Sequence, residues 1–202
     1  MPGLSKTALA DRLAKGLFQG GARVGRAEFS GPRGRLPWLI SVGSAERTPR
    51  DYRVYMWTIG HGGRTRSQDE YRIQTMLPDK RTLEFGRGTT VLLGYYDERV
   101  DQSGRAAGNQ PPAGMEVVVA WDAVQHLRVG ASSSCQVPFT LMENAYFNEV
   151  AARARRLAED EVEQVIAMRL EYLAGYLFEA AGGHGFVVPE NVMDRRLQRV
   201  RS

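Results

Sequence analysis

Residues 52–76 read YRVYMWTIGHGGRTRSQDEYRIQTM and form the most informative stretch of this chain. An apolar, aromatic-rich segment, Tyr52–Ile59, runs into a glycine turn, and a second strand-like segment, Glu70–Met76, follows the turn. Short segments of this kind, bounded by turn residues, are typical of β-strands. Glycines in the turn permit positive φ angles and a close approach of the backbone to a bulky ligand. The stretch therefore predicts two strands of a sheet and a turn that contacts a ligand.

Side chains that recognise polyanions follow at short spacing in the turn and in the segment after it. They are His61, Arg64, Arg66, Arg72 and Gln74. Arginine and glutamine contact phosphates and base edges, so the stretch predicts recognition of a polyanion. The alternative is a solvated turn in which Asp69 and Glu70 pair with neighbouring arginines, because exposed charges usually need no special function.

Composition describes an ordinary globular protein. The 202 residues are 43% hydrophobic and 25% charged, which predicts one domain with room for a second, small helical unit. The sequence lacks a long apolar run and an apolar N-terminal signal, so we expect a cytoplasmic protein without a membrane span. Cys135 is the only cysteine, and the histidines are scattered. This pattern excludes an intrachain disulfide and a thiolate metal cluster, and no metal or cofactor is expected.

The net charge of +4 conceals an uneven distribution of charge along the chain. Residues 1–90 contain 16 Lys/Arg and 8 Asp/Glu, a surplus of +8, whereas residues 91–202 contain 11 and 15, a deficit of −4. A basic first half predicts an anionic partner. All but three of the 27 basic residues are arginines, which suits bidentate phosphate contacts, although a GC-rich genome produces the same bias.

The predicted elements indicate an α+β fold. Residues 4–19 have apolar residues at helical spacing, with Ser5 or Thr7 as a cap. Six strands are predicted, at Ala27–Phe29, Trp38–Val42, Tyr52–Ile59, Glu70–Met76, Thr89–Tyr96 and Glu116–Trp121. We expect an N-terminal helix, a curled, mostly antiparallel or mixed sheet that allows a half-open barrel, and C-terminal helices packed against it.

The second half of the chain gives weaker patterns. Residues 101–114 are rich in Gly and Pro and lack apolar anchors, which predicts a mobile surface loop. Thr140 and Glu143 have capping-box spacing, which predicts a helix from Thr140 to about Leu157. We expect residues 1–138 to form a DNA-binding sheet domain with the N-terminal helix, and residues 139–202 to form a helical unit packed on the sheet.

Four stretches carry a resemblance to a known group of proteins. They are YMWTIGHGGRTRSQDEYRIQ (55–74), TTVLLGYYDE (89–98), VVVAWDAVQH (117–126) and ASSSCQV (131–137). They resemble DNA-recognition or nuclease-associated modules of bacterial restriction–modification and anti-phage defence proteins. The resemblance implies that the glycine–arginine turn, the serine-rich loop and the strands form one compact unit. It also favours a strand at Val162–Met168, where the apolar spacing fits a helix equally well, followed by a helix from Arg169 to Ala181.

Two further segments are candidates for DNA contact. In the serine-rich loop, hydroxyl groups and backbone N–H groups suit phosphates, and Gln136 suits adenine. The residues of this loop are Ser132, Ser133, Ser134 and Gln136. The loop that contains Arg33 and Arg35 is predicted to hold the DNA backbone. The alternative for the serine-rich loop is a flexible connector without a binding role.

A metal-dependent nuclease is the enzymatic alternative. Glu70, Asp97 and Asp122 are the acids that would hold Mg²⁺ as the cofactor. The acid-x-Lys pattern of restriction nucleases is absent, because Ala123 and Val124 follow Asp122. We therefore expect the three acids to lie apart, with Asp69 and Glu70 paired to arginines. His126 is a candidate general base, although a lone histidine in a turn is more often structural.

The preferred hypothesis is a DNA-binding module of a restriction or phage-defence system that senses DNA sequence or modification. DNA is the expected partner. The third hypothesis is a protein-interaction subunit whose acidic C-terminal helices dock a nuclease or an ATPase. A homodimer is compatible with each hypothesis.

Overall fold

The computed structural model contains three packed layers of secondary structure. It describes residues 3–19, 26–44, 47–63, 65–77, 83, 88–106, 108–123, 126, 132–156 and 162–179. A layer of helices covers one face of a seven-stranded sheet, and a three-stranded sheet with one further helix covers the other face. A separate hydrophobic core fills each of the two interfaces.

Four α-helices and ten strands are present among the described residues. The helices are α1 (Lys6–Gln19), α2 (Gln102–Ala106), α3 (Phe139–Asn148) and α4 (Leu173–Glu179), with a short 3-10 turn at Leu170–Tyr172. The strands are β1 (Arg26–Ser30), β2 (Trp38–Ser44), β3 (Arg47–Thr58), β4 (Gly60–His61), β5 (Glu70–Met76), β6 (Thr89–Asp97), β7 (Glu116–Trp121), β8 (Ser132–Pro138), β9 (Val150–Arg156) and β10 (Val162–Arg169).

The large sheet has the strand order β1-β2-β3-β6-β7-β10-β9, and the small sheet has the order β4-β5-β8. Strands β3 and β6 are parallel, while the other described pairs are antiparallel. The expected α+β class with a mixed sheet, an N-terminal helix and C-terminal helices is therefore confirmed. The described strands do not close into a barrel, since β1 and β9 remain at the edges of the large sheet.

Central strands of the large sheet are buried on both faces. In β7, Val118 and Ala120 face the core under the helices, whereas Val119 and Trp121 face the core under the small sheet. Covered strands carry continuous apolar sequence rather than alternation, because neither face meets water. The run EVVVAW therefore forms a strand that is buried on both faces.

Helix α1 has the apolar face that its sequence predicts. Leu9, Leu13 and Leu17 are fully buried against the large sheet. The Ser5 hydroxyl accepts a hydrogen bond from the Ala8 N–H at 3.2 Å, which satisfies one of the free donors at the helix start. The predicted helix and its serine cap are both confirmed.

The prediction of a helix from Thr140 to Leu157 is wrong beyond residue 148. Helix α3 ends before Glu149, whose φ of 73° takes the backbone out of the helical region. The chain then forms β9, which pairs with β10 along its whole length. Sheet pairing outweighs local helix propensity here.

Two further differences concern the expected loops. The serine-rich segment is strand β8 instead of a loop, because it pairs with β5 over seven residues. Residues 101–114 contain helix α2, and Asp101 and Asn109 are buried, so the expectation of an unanchored surface loop is also wrong. The strand at Val162–Met168 is confirmed, and α4 follows it as predicted as far as Glu179.

No described helix has both the length and the apolar character needed to cross a membrane. The division of the chain into two units, residues 1–138 and residues 139–202, stays a prediction. Strands β9 and β10, which come from the second of these units, lie in the same sheet as β7.

Candidate nucleic-acid interface

The small sheet carries a polar outer face. In the antiparallel β5–β8 pair, Arg72 lies opposite Gln136, and Gln74 lies opposite Ser134. All four residues are half-buried or exposed. We call these four residues the polar ladder. Strand pairing thus brings together polar side chains from two segments that are distant in sequence.

Neighbouring residues on the same strands face the core. Tyr71, Ile73 and Cys135 are fully buried, and Val137 is nearly so. Because successive side chains of a strand point to opposite faces, the burial of these residues directs the polar ladder away from the core. Ser132 and Ser133 continue β8 opposite Met76 and Thr75.

The polar ladder has few partners inside the protein. Arg72 Nη2 donates to the Gly62 carbonyl at 3.3 Å, and Gln136 Nε2 donates to Glu70 Oε1 at 3.5 Å. Within the described part of the chain, the side chains of Gln74 and Ser134 form no hydrogen bond. Their donors and acceptors are available to a ligand.

The glycine turn is held by its own histidine. Gly63, which has a φ of 107°, donates its N–H to His61 Nδ1 at 3.2 Å. Since Nδ1 accepts this bond, Nε2 carries the proton and donates to the Ser67 carbonyl at 3.0 Å. The Gly62 N–H also donates to the Glu70 carbonyl at 2.9 Å. Both ring nitrogens of His61 therefore stabilise the turn.

The two acids beside the turn, Asp69 and Glu70, have different partners. Arg66 Nη1 lies 3.6 Å from Glu70 Oε1, which confirms the predicted pairing of Glu70 with an arginine. Asp69 Oδ1 accepts the Thr140 N–H at 2.9 Å at the start of α3, and its pairing with an arginine stays a prediction. Arg64 lies outside the described residues.

The loop with Arg33 and Arg35 lies away from the polar ladder. Arg33 Nη1 is 2.7 Å from Asp11 Oδ1 on α1, and its guanidinium lies 4.7 Å from the centre of the Phe29 ring. Helix α1 packs on the face of the large sheet opposite the small sheet. Arg35 is exposed in the same loop. The structure does not bring these two arginines to the other predicted residues.

A groove of about 650 Å³ lies beside β4, and we call it the β4 groove. Its walls include His61, Arg72 and Gln74, together with Lys6 and Trp57. Three residues predicted from the sequence thus line one groove. Lys6 was not predicted, because a lysine in the first turn of an amphipathic helix gives no signal of a site.

Lys6 reaches the β4 groove from the start of α1. Its Nζ donates to the Met56 carbonyl at 3.3 Å and lies 4.9 Å from the centre of the Trp57 ring. Burial of the ammonium lowers the pKa of Lys6 to about 8. The side chain is therefore a cation at neutral pH that loses its proton more easily than a surface lysine.

A second groove, of about 370 Å³, lies between β8 and β9, and we call it the β8 groove. One wall contains Glu70 and Gln136, and the other contains Arg153, Arg155 and Arg156. Sequence reasoning missed these arginines because it assigned them to a helix. The alternation of arginine and alanine over residues 153–155 was the available signal of a strand.

A buried polar cluster lies behind the polar ladder. Asp101 Oδ2 accepts hydrogen bonds from Tyr71 at 2.8 Å and from Tyr96 at 3.0 Å, and Asp101 Oδ1 accepts the Gly104 N–H at 2.8 Å. Asn109 Nδ2 donates to the Tyr71 hydroxyl at 2.9 Å. We call this set the Asp101 cluster. Burial, reinforced by Asp101, raises the pKa of both tyrosines well above the ordinary value, so their hydroxyls remain donors.

The three acids of the nuclease alternative do not meet. Strands β6 and β7 are antiparallel, with Asp97 opposite Glu116. Asp122 lies six residues beyond Glu116, so at about 3.4 Å per residue it is roughly 20 Å from Asp97 along the sheet. Glu70 lies on the other sheet. The expectation that these acids lie apart is confirmed for Asp97 and Asp122.

Asp97 is instead part of an ion-pair network. Arg99 donates to both of its carboxylate oxygens, each at 2.8 Å, and Arg12 lies 3.9 Å away. Burial acts to raise the pKa of Asp97, but the hydrogen bonds from Arg99 outweigh it and lower the pKa below its ordinary value. Among the described residues, no group of three His, Cys, Asp or Glu side chains has an arrangement that suits a metal ion.

His126 is also engaged inside the protein. Its Nε2 lies 2.6 Å from Glu163 Oε1, and both side chains are almost completely buried. Burial, with a further contribution from Glu163, raises the pKa of Cys135, so the thiol stays protonated. The burial of His126, Glu163 and Cys135 is typical of residues with a structural role.

Comparison with known proteins gives one match. The family model of methylase-associated X1 (MTaX1) matches residues 50–177, which is more than half of the chain and extends from β3 into α4. The matched segment contains the polar ladder, the β8 groove and the Asp101 cluster. No curated protein and no solved structure matches the chain. The family description associates such proteins with methylases, and hence with restriction–modification systems.

Proposed function

We propose that this chain, which belongs to the methylase-associated X1 family, binds duplex DNA through the outer face of its small sheet. In this proposal it serves as the DNA-contacting module of a restriction or phage-defence system and senses the sequence or the modification of the DNA. The β4 groove receives a portion of the duplex beside the ladder.

The register of the polar ladder carries the proposal. It sets Arg72 beside Gln136 and Gln74 beside Ser134, so that four polar side chains lie together on the outer face. Arginine forms bidentate hydrogen bonds with guanine, and glutamine does so with adenine. Serine hydroxyls contact bases or phosphates. The side chains of Gln74 and Ser134 form no hydrogen bond within the described residues, so their polar groups are available to bases or phosphates.

The shape of the small sheet supports the same function. A two-stranded ribbon fits the major groove of B-DNA, which is about 12 Å wide. Strands β5 and β8 pair over seven residues, which at about 3.4 Å each gives a ribbon roughly 24 Å long. The Asp101 cluster and the core residues hold the ribbon rigid from behind, so little ordering is needed when DNA binds.

The family context supplies the biological reason for DNA contact. The family description links such proteins to methylases of restriction–modification systems. In this proposal the chain and the methylase contact the same duplex. The separation of Asp97 from Asp122 favours a reader over a Mg²⁺-dependent nuclease built from these acids. Docking of a nuclease or an ATPase on the C-terminal helices stays a prediction.

Fluorescence anisotropy with a labelled duplex tests the proposal. Several phosphate contacts predict that affinity falls on the order of 10³-fold between about 50 and about 200 mM salt. Methylated and unmethylated versions of the same duplex measure whether modification is sensed, and gel analysis with Mg²⁺ measures cleavage. The absence of binding at low salt removes the DNA function altogether.

Two matched glutamine variants test which surface of the protein binds DNA. Gln74→Ala removes one ladder side chain and should weaken binding to the preferred duplex about tenfold, because one bidentate contact contributes about 1–3 kcal/mol. Gln19→Ala removes an exposed glutamine at the end of α1, on the opposite layer, and should leave affinity unchanged. Equal affinities for the two variants place DNA elsewhere on the protein.

A further inference from the structure

Strand β9 is an arginine-rich edge of the large sheet. Its sequence is VAARARR, and its pairing with β10 sets Arg153 opposite Val165 and Arg155 opposite Glu163. Arg153 and Arg155 are therefore on the same side of the strand, about 7 Å apart. Arg156 follows directly and is exposed. We call Arg153, Arg155 and Arg156 the arginine strand.

The arginine strand faces one residue of the polar ladder, Gln136, across the β8 groove. All three arginines line this groove, and Gln136 of the ladder lines the wall opposite them. The groove thus joins the edge of the small sheet to the edge of the large sheet.

The arginines of the arginine strand differ from five surface arginines elsewhere in the protein that pair with carboxylates. Arg33, Arg66, Arg99, Arg105 and Arg169 each form an ion pair with a carboxylate. Within the described residues, no carboxylate lies within ion-pair distance of any arginine of the arginine strand. In addition, Arg155 Nη1 is buried without a hydrogen-bond partner. Glu163, which lies opposite Arg155, also has a buried oxygen without a partner in the described part of the chain. Arg153 and Arg156 are exposed, so their donors are the ones accessible to an anion in the groove.

The acids on the opposite wall already have partners inside the protein. Glu70 lies beside Arg66, and Asp69 accepts the hydrogen bonds of Thr140 at the start of α3. The net charge of the groove is therefore set by the arginine strand. Arginine is the side chain best suited to bind phosphate, since its planar donors match two phosphate oxygens.

We infer that the arginine strand binds the phosphodiester backbone of DNA, in the β8 groove, while the polar ladder contacts the bases. This inference rests on the proposed function, since it assigns the phosphate contacts of the same interface. Arg153 contacts a phosphate from within the groove, and Arg156 contacts another from the end of β9 at its rim.

The salt dependence of binding tests the inference with the full chain. Removal of one phosphate-binding side chain should lower the slope of log affinity against log salt by about 0.9. Arg153→Ala and Arg156→Ala should each show this change and weaken binding similarly for all sequences. The Arg153→Lys/Arg156→Lys double variant should keep most of the slope, because the charges remain. Arg155 is left intact, since its half-buried position beside Glu163 makes misfolding a competing explanation.

Arg169→Ala is the matched control. It removes the same charge from the far end of β10, four residues beyond Val165, where Arg169 pairs with Glu171. Its slope should equal that of the wild type. An unchanged slope in the Arg153 and Arg156 variants overturns the inference and leaves the proposed function intact. An equal change of slope in Arg169→Ala also overturns the inference. Failure of the wild type to bind DNA overturns the proposed function itself.

Discussion

The two faces of strand β5 use polar side chains in opposite ways. On the inner face, Tyr71 belongs to the Asp101 cluster, where hydroxyl, carboxylate and amide groups satisfy one another in the core. On the outer face, Gln74 has no hydrogen-bond partner among the described residues, and Arg72 has a single carbonyl. Tyr71 and Arg72 are adjacent in sequence and lie on opposite sides of the sheet.

This difference separates stability from binding. Polar groups that are buried must be paired, because each unpaired group costs about 1–3 kcal/mol. Exposed polar groups have no such requirement, since water satisfies them until a ligand replaces it. Substitutions in the Asp101 cluster should therefore reduce stability, and substitutions in the polar ladder should reduce DNA affinity alone.

Two glycine substitutions give the largest expected contrast. A Cβ added at Gly104 collides with the Tyr71 hydroxyl and the Asp101 carboxylate, whereas a Cβ added at Gly60 meets no atom within 4 Å. Gly104→Ala should lower the free energy of unfolding by about 3 kcal/mol, because overpacking also breaks the cluster. Gly60→Ala should change it by less than about 0.5 kcal/mol. Urea denaturation measures both, and equal stabilities contradict the assigned role of the cluster.

A smaller loss of stability is expected when a single hydroxyl group is removed from the Asp101 cluster. Tyr71→Phe removes the donor to Asp101 and the acceptor for Asn109, while the ring stays in the core. The free energy of unfolding should fall by about 1–2 kcal/mol. Affinity for DNA should stay within twofold of wild type at temperatures where the variant is folded. A loss of affinity with full stability makes Tyr71 a member of the interface.

Lys6 is half-buried, and its substitution should give the smallest change in the free energy of unfolding. Below pH 8 it is charged in both the folded and the unfolded state, so folding costs desolvation of the ammonium. Between pH 8 and 10.5 the unfolded state binds more protons, so this cost declines and stability rises with pH.

The Lys6→Met variant isolates that contribution. It should be more stable than wild type by about 1 kcal/mol at pH 7, after allowance for the partial solvation of Lys6 and its bond to Met56. The advantage should vanish as the pH rises from about 8 to 10.5. Unfolding curves at several pH values measure it, and a difference that does not change with pH contradicts the burial of a charged Lys6.

Elements with a strong local pattern were predictable from the sequence. Glu70–Met76 and Glu116–Trp121 were predicted with the bounds that the structure has, because apolar runs between turn residues leave few alternatives. Strand β8 was missed, since a run of serines has little strand propensity and forms a strand only through its partner β5. Strand β9 was missed because its arginines and alanines favour a helix in isolation.

The site was predicted in composition but not in arrangement. Arg72, Gln74 and Gln136 were named from their chemistry, yet their common face depends on the β5–β8 register, which local sequence does not specify. Arg33 was assigned to the same surface and lies beside α1 instead. The Asp101 cluster joins segments that are distant in sequence, so no local pattern predicted it.

The affinity of the Arg72→Ala/Gln74→Ala double variant for duplex DNA tests the central claim most directly. Removal of these two ladder side chains should weaken binding on the order of 100-fold, since each bidentate contact contributes about 1–3 kcal/mol. The free energy of unfolding should stay within about 0.5 kcal/mol of wild type, as for other surface substitutions. An affinity within twofold of wild type, in a variant that is fully folded, contradicts the assignment of DNA binding to the outer face of the small sheet.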